Sequence, residues 1–419
     1  MNRMFGILGI IGIFAIAYAM SNNRKAINYK TIGTGFLLQV LLAIFIFKVP
    51  LGQKIFLGIG QFIQNILEFA KEGGQMVFGT LMDANFGYIF ALQLMCSMIF
   101  MMILVNILYH YGIMQKVVSI LGKFINKVMA VSGAEALSNV ASAFVGQIVA
   151  QIMIKPYLAK LTRSELLASM AGSMACISGA TMPIYIGMGI PATYLLAASV
   201  MAAPGALVIS KIVYPETHTP ETSENFEIKF SKRRREHANV FDAISSGASE
   251  GMRVAINVCA MVIALVALVA LIDWFLGGFG GFCVKYLHCP ETFLGFDVAN
   301  LSLKMILGKI FAIFAYFMGV PFSEAATVGS LMGTKLVLNE MVAYVDLMNL
   351  PVALSAKSFL IASVALCSFG NFGSIAIQLG GIGELAPNQR KNLARLGIRA
   401  LICGTLTCYM SAAIVGLLI

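Results

Sequence analysis

Long apolar runs separated by short polar ones make up most of this 419-residue chain. Runs of about 20 apolar residues, the length that carries a helix across a bilayer core, fall near 4–20, 32–49, 88–113, 165–190, 193–213, 253–276, 356–380 and 400–418. Near 52–70, 114–129 and 238–251, apolar residues recur at helical spacing among polar ones, which predicts helices lying in the membrane interface. The first run ends in Ala17-Tyr18-Ala19, similar to a signal-peptide cleavage site. Its basic flank, Arg24 and Lys25, follows the run rather than preceding it, so a retained span is expected.

Two segments do not fit simple crossings. Ala136–Ile154 is long enough to cross, yet Lys123 and Lys127 precede it and Lys155 and Lys160 follow it. Both flanks belong on the cytoplasmic side, so the segment must enter the membrane and return. Ser138, Asn139, Ser142, Gln147 and Gln151 also make it too polar to face lipid. A re-entrant hairpin over 134–158 is predicted, with its turn at Gly146-Gln147. Between Lys309 and Lys335 the only charge is Glu324, within Gly319-Val320-Pro321-Phe322-Ser323-Glu324-Ala325. A full crossing there would put the basic Arg390–Arg399 stretch outside. A second hairpin over 300–345, entering from the outer face and broken at Gly319–Pro321, is expected instead. Two opposed hairpins, each followed by two spans, predict an inverted repeat with halves near 116–213 and 241–419.

The expected fold is therefore an all-α polytopic membrane protein: eight transmembrane helices, two re-entrant hairpins and interfacial helices. Its divisions are scaffold helices over 1–115, a first transport repeat over 116–213 and a cytoplasmic loop over 214–240. An interfacial helix, a scaffold helix and an outer loop fill 241–299, and a second repeat fills 300–419.

Composition agrees with this layout and narrows the function. At 59% hydrophobic and 11% charged residues, the chain has more apolar surface than a soluble domain can bury. The net charge of +10 is not a nucleic-acid footprint, because 20 of the 29 Lys and Arg residues cluster in short stretches between apolar runs. That distribution sets topology, and the Lys232–Arg235 run reads as a solvated cytoplasmic loop. Six of the eight cysteines lie in apolar runs as packing residues; Cys283 and Cys289 share an outer loop where a disulfide is an open question. No Cys/His metal spacing, nucleotide-binding loop or paired intramembrane acids occur, so an enzyme is not expected. Transport must draw on an ion gradient.

Three elements carry candidate chemistry. A carboxylate at membrane depth costs about 2.5–3.5 kcal/mol on insertion scales, so Glu324 must face protein, solute or a wet cavity. Gly146-Gln147 offers an amide beside exposed backbone. Phe369-Gly370-Asn371-Phe372-Gly373-Ser374 suggests an unwound stretch in mid-membrane, with Phe369 available to stack on a ring. Carboxylate, amide and hydroxyl together suit vicinal hydroxyls, as on a sugar. Each also has a purely structural reading. Glu324 can cap a broken helix, Gln147 can satisfy one, and the glycines can permit close packing.

At these residues the chain resembles the concentrative nucleoside transporter family, essentially end to end. The likeness is carried by Ser21–Asn28, by Gly319-Val320-Pro321 with Ser323-Glu324-Ala325, and by Asn339-Glu340-Met341-Val342-Ala343-Tyr344. It continues through Ala365-Leu366-Cys367 with Asn371 and Ser374, and through Gly380–Gly383 with Leu385-Ala386-Pro387. The resemblance implies a homotrimer in the inner (plasma) membrane, in contact with lipid, whose protomers each move a nucleoside by an elevator motion. It also implies that Glu324, Asn371 and Ser374 hold the ribose. The base end departs from the family pattern of Gly-Gln-Thr/Ser-Glu, because here Ile148 and Val149 follow Gln147; Thr181 and Gln151 are the available polar substitutes. The sodium site departs too. Its matching positions are Ser142 and Cys176, with carbonyls of Val145 and Ile177, and a thiol is a poor ligand for a hard cation. A proton gradient acting through Glu324 is favoured over a sodium gradient as the driver, with a sodium ion the alternative and no other cofactor, and the ligand is a modified or more apolar nucleoside or another diol-bearing solute. A channel or a sensor on the same fold is the alternative.

Overall fold

The computed structural model describes every residue except 1, 83–88, 223–237, 289, 291, 294 and 295. The Lys232–Arg235 run and Cys289 thus lie outside the described residues; Cys283 is buried. Helix α1 (Asn2–Ala19) leads to α2 (Tyr29–Phe47), whose cap Asn28 accepts from the amides of Lys30 and Thr31. Next come α3 (Pro50–Phe78), started by proline at its first position, and α4 (Phe90–His110).

The same sequence of elements then occurs twice. In the first pass, α5 (Ile113–Met129), α6 (Gly133–Val145) and α7 (Gln147–Met153) are followed by the short α8 (Lys155–Leu158), α9 (Arg163–Ala175), α10 (Met182–Gly187) and α11 (Ala192–Val213). Helix α12 (Val240–Leu287) and the two-residue strands β1 (Thr292–Phe293) and β2 (Phe296–Asp297) intervene. In that turn the Asn300 side chain and amide hold the Asp297 carboxyl below the usual carboxylate range. The second pass is α13 (Leu303–Phe317), α14 (Phe322–Val337), α15 (Glu340–Met348), α16 (Ala356–Leu366), α17 (Phe372–Leu385) and α18 (Arg390–Leu418).

Several boundaries differ from the hydropathy pattern. The runs near 165–190 and 356–380 are each two helices, broken at 176–181 and 367–371. With these two runs broken and the first helix counted only as a shorter apolar one (Phe5–Ala19), five of the described helices are long and apolar enough to cross a membrane alone. The interfacial helix expected at 238–251 does not end; it continues into the following span as one helix of 48 residues, about 72 Å at 1.5 Å per residue. The second hairpin has two turns rather than one. Gly319 (φ 99°) and Pro321 join α13 to α14 with a 118° bend, and Leu338-Asn339 joins α14 to α15. Matching the passes element by element makes α13 the counterpart of α5, so Leu338-Asn339 is the counterpart of Gly146.

Helices α11 and α18 form the buried centre. Helix α2 packs on both, with Gln39 donating to Ser411 Oγ at 2.9 Å, and α1 lies along α18 and α13. The pair α4/α12 packs mainly on itself, with α4 also meeting α3, α10 and α5. It is closely apposed, since a Cβ on Gly247 or Gly251 would meet the α4 backbone at 2.7 or 2.6 Å. Elsewhere α12 touches the second repeat only sparingly, Val269 packing with Leu338 and Val342.

Candidate functional site

Helix α6 starts where it does because Ser132 and Glu135 form a capping box, the hydroxyl taking the Glu135 amide and the carboxylate taking the Ser132 amide. Thr162 and Glu165 do the same for α9. Lys211 ties both feet together: its Nζ lies 2.7 Å from Glu135, 3.5 Å from Glu216 and 2.9 Å from Ser164 Oγ. At its other end α6 stops at Gly146, whose φ of 87° suits glycine alone. A side chain there would press on Ser178, 3.2 Å away.

The tip of this hairpin meets the two helix breaks. The Gly179 amide donates to the Phe144 carbonyl at 3.1 Å, and the Phe369 amide donates to the Cys176 carbonyl at 3.2 Å. Asn371 caps α17 by accepting from the Ser374 amide at 2.9 Å. Ser374 Oγ bonds the Phe369 carbonyl and receives Gln147 Nε2 at 3.2 Å. Gln147 Oε1 is buried with no hydrogen-bond partner. Gln147, Phe369, Asn371 and Ser374 are therefore adjacent, with one amide oxygen unused.

Glu324 is not with them. Its carboxylate accepts from the Ser355 amide at 3.0 Å and from Ser355 Oγ at 2.8 Å, at the start of α16. Asn371 lies beyond the far end of α16, roughly 16 Å away for eleven residues at 1.5 Å each. Glu324 thus braces Ser355, the residue that caps α16.

The buried carboxylate near Asn371 belongs to Glu340, at the first position of α15 as Gln147 is at the first position of α7. Tyr185 Oη donates to Glu340 Oε1 at 2.9 Å, while Oε2 has no bonded partner. The Asn371 side chain and the Lys335 ammonium also act on this carboxylate, both from beyond normal hydrogen-bond or ion-pair distance. Glu340 was within the motif that carried the family resemblance. The Gly-Pro break upstream gives the sequence a more evident hairpin tip, away from this acid.

The remaining predicted positions are mixed. Gln151 is fully engaged with α9, donating to Ser173 Oγ at 2.8 Å and accepting from Ser169 Oγ at 2.7 Å, so it has little left for a ligand. Thr181 bonds Ser178 locally, its Oγ1 donating to the Ser178 carbonyl at 3.1 Å. Ile148 packs on the α17 backbone at Gly381, where a Cβ would sit 2.3 Å from its Cδ1; Val149 is exposed.

At the positions matched to sodium, the donors fit that ion poorly. Ser142 Oγ is committed to the Ser138 carbonyl at 2.7 Å and to Ser173 Oγ at 2.9 Å. Cys176 Sγ turns back to the Gly172 carbonyl at 3.3 Å. Val145 and Ile177 contribute only backbone. A hard monovalent cation would find one occupied hydroxyl and one thiol.

Family models place this chain. The model described as "Na+ dependent nucleoside transporter C-terminus" matches residues 194–416, its N-terminal partner matches 8–81, and "Nucleoside recognition" matches 91–192. The chain belongs to the concentrative nucleoside transporter family. Nucleoside permease NupC of Helicobacter pylori is 37% identical over 100% of this chain and 98% of its own. The uncharacterized transporter YutK of Bacillus subtilis is 40% identical over the full length of both. The solved structure of CNTnw in an inward-facing substrate-bound state covers 100% of this chain and 98% of that one, at 38% identity and a TM-score of 0.90. A doubly substituted CNTnw in an outward-facing state gives 0.91, so the likeness does not choose between the two states. As a family member the chain is a multi-pass, ion-coupled nucleoside transporter.

Proposed function

We propose that this chain imports nucleosides or modified nucleosides across the inner membrane, driven by protons, with the ribose hydroxyls held by Glu340, Asn371 and Ser374. The observation that carries this reading is the convergence of one buried carboxylate with an unused oxygen, one capping amide and one hydroxyl where the broken helices cross. Glu340 Oε2 can accept from a hydroxyl, Asn371 can donate to one, and Gln147 Oε1 remains for the base. With Ile148 in place of a hydroxyl and Val149 in place of a carboxylate, the base end favours a less polar or modified nucleobase.

Protons are favoured over sodium because the matched hydroxyl and thiol are turned to their own helices, whereas a carboxylate with a free oxygen can carry a proton. We further infer a homotrimer in which each protomer works alone, its helix repeats moving past the α4/α12 pair. Uptake into proteoliposomes tests the reading. An inward-directed pH gradient without sodium should concentrate a labelled nucleoside, and a protonophore should abolish the concentration. Concentration driven only by a sodium gradient would overturn the proton reading; equilibration without concentration would indicate a channel, and binding without flux a sensor.

A further inference from the structure

Five residues before Glu340 stands a buried lysine whose amino group has no hydrogen-bond partner among the described residues. This is Lys335, fully buried near the end of α14. An unpaired ammonium in a protein interior is costly enough that its surroundings must compensate it. Glu340, Cys367 and Cys408 are the groups that act on it. Glu340 lies five residues on, across the Leu338-Asn339 turn, and its Oε2 is unpartnered as well.

More unused polar atoms lie at the 367–371 break, around Gly370. Ser368 Oγ and Thr405 Oγ1 are buried without hydrogen-bond partners among the described residues. With the Met174 carbonyl they lie 3.2–3.6 Å from where a Cβ on Gly370 would sit. Helices α9 and α16 both end nearby, at Ala175 and Leu366, so the neighbourhood also contains the negative ends of two helix dipoles. Unpaired donors and acceptors gathered in one buried region are the setting in which ordered water bridges polar groups.

The first repeat has no such cation. Counting back from the ends of α6 and α14, Lys335 corresponds to Ala143 and Thr334 to Ser142, while the C-caps Cys176 and Cys367 correspond. Ser142 and Cys176 are bonded to carbonyls of their own helices. Only the second repeat places an ammonium beside its turn.

We propose that Lys335 is a positioning residue for substrate binding: a cation carried by the chain itself that acts through bridging water on Glu340 and fixes that carboxylate to accept the substrate's hydroxyls. This rests on Glu340 being the hydroxyl acceptor. It places a basic side chain near the acid in the second repeat, where the matching position of the first repeat is Ala143.

The test uses purified full-length protein carrying Lys335→Met, Glu340→Gln or both. In ligand-free thermal unfolding each single variant strands one buried charge and melts lower than the parent, whereas the double variant regains most of the loss. Additive losses in the double variant overturn the pairing, whatever solute the protein carries. Binding of uridine is then compared with binding of 2′,3′-dideoxyuridine. The parent should prefer the diol by about tenfold or more, Lys335→Met should lose that preference as fully as Glu340→Gln, and Lys335→Arg should keep it. A Lys335→Met protein that retains the parent's preference overturns the positioning role even if it melts lower. A parent without diol preference overturns the nucleoside reading instead, leaving the melting comparison to decide the ion pair.

Discussion

Glu324 and Glu340 are both acids in a nearly uncharged stretch, and they do different work. A charge-assisted hydrogen bond to a hydroxyl contributes about 1.5–3 kcal/mol, so Glu340→Gln should weaken nucleoside affinity by about 10- to 100-fold, measured by calorimetry on purified protein. Glu324→Ala should remove the carboxylate that holds the α16 cap residue Ser355, at about 1 kcal/mol, and lower the melting temperature while leaving affinity within about threefold. The reverse pattern would return the ribose site to Glu324. At the base end, Ile148→Thr with Val149→Glu should shift the ranking of competing nucleosides toward ordinary bases, read by competition against a labelled substrate; an unchanged ranking removes these positions from base recognition. Asn371 and Ser374 were legible because glycine, amide and hydroxyl in an apolar run are hard to explain as packing alone. Glu340 was less legible: Gly-Pro marks a break from sequence, whereas a tip made by Leu338-Asn339 has no local signature until the repeats are matched.

At the scale of elements, hydropathy gives the number and rough position of apolar runs but not their continuity. The breaks at 176–181 and 367–371 are held by contacts from elsewhere in the chain, among them the bond from the Phe369 amide to the Cys176 carbonyl, which no local pattern encodes. Helix starts are more legible. Ser132/Glu135 and Thr162/Glu165 are capping boxes readable from spacing alone, although the lysine that unites them is not. Lys211 sits almost wholly buried between Glu135 and Glu216. Removing one partner of such a pair costs about 3–5 kcal/mol, because the carboxylate is left uncompensated. Lys211→Met should therefore lower the melting temperature more than Thr162→Ala, which loses a cap at about 1 kcal/mol and one hydrogen bond to Glu216. Equal effects in differential scanning fluorimetry would mean that the ion pair does not hold the feet of α6 and α9 together.

Across the whole molecule, the distribution of packing decides which parts can move together. Helices α1 and α2, grouped by position in the chain with α4, are instead packed on α18 and α11. The pair α4/α12 is tightly joined internally and meets the repeats through small patches such as Val269 against Leu338 and Val342. A boundary with little buried area slides at low cost, whereas a close-packed one does not. If transport moves the repeats past α4/α12, a disulfide between Val269→Cys and Val342→Cys should arrest uptake in vesicles, and reductant should restore it. A disulfide between Gln39→Cys and Ser411→Cys joins two elements of the same body and should leave uptake largely intact. Both pairs would be placed in a background lacking the native cysteines, with cross-linking verified by mobility on gels. Full uptake through a closed Val269–Val342 bridge would mean that this boundary stays fixed, and alternating access would then have to come from the hairpin tips alone.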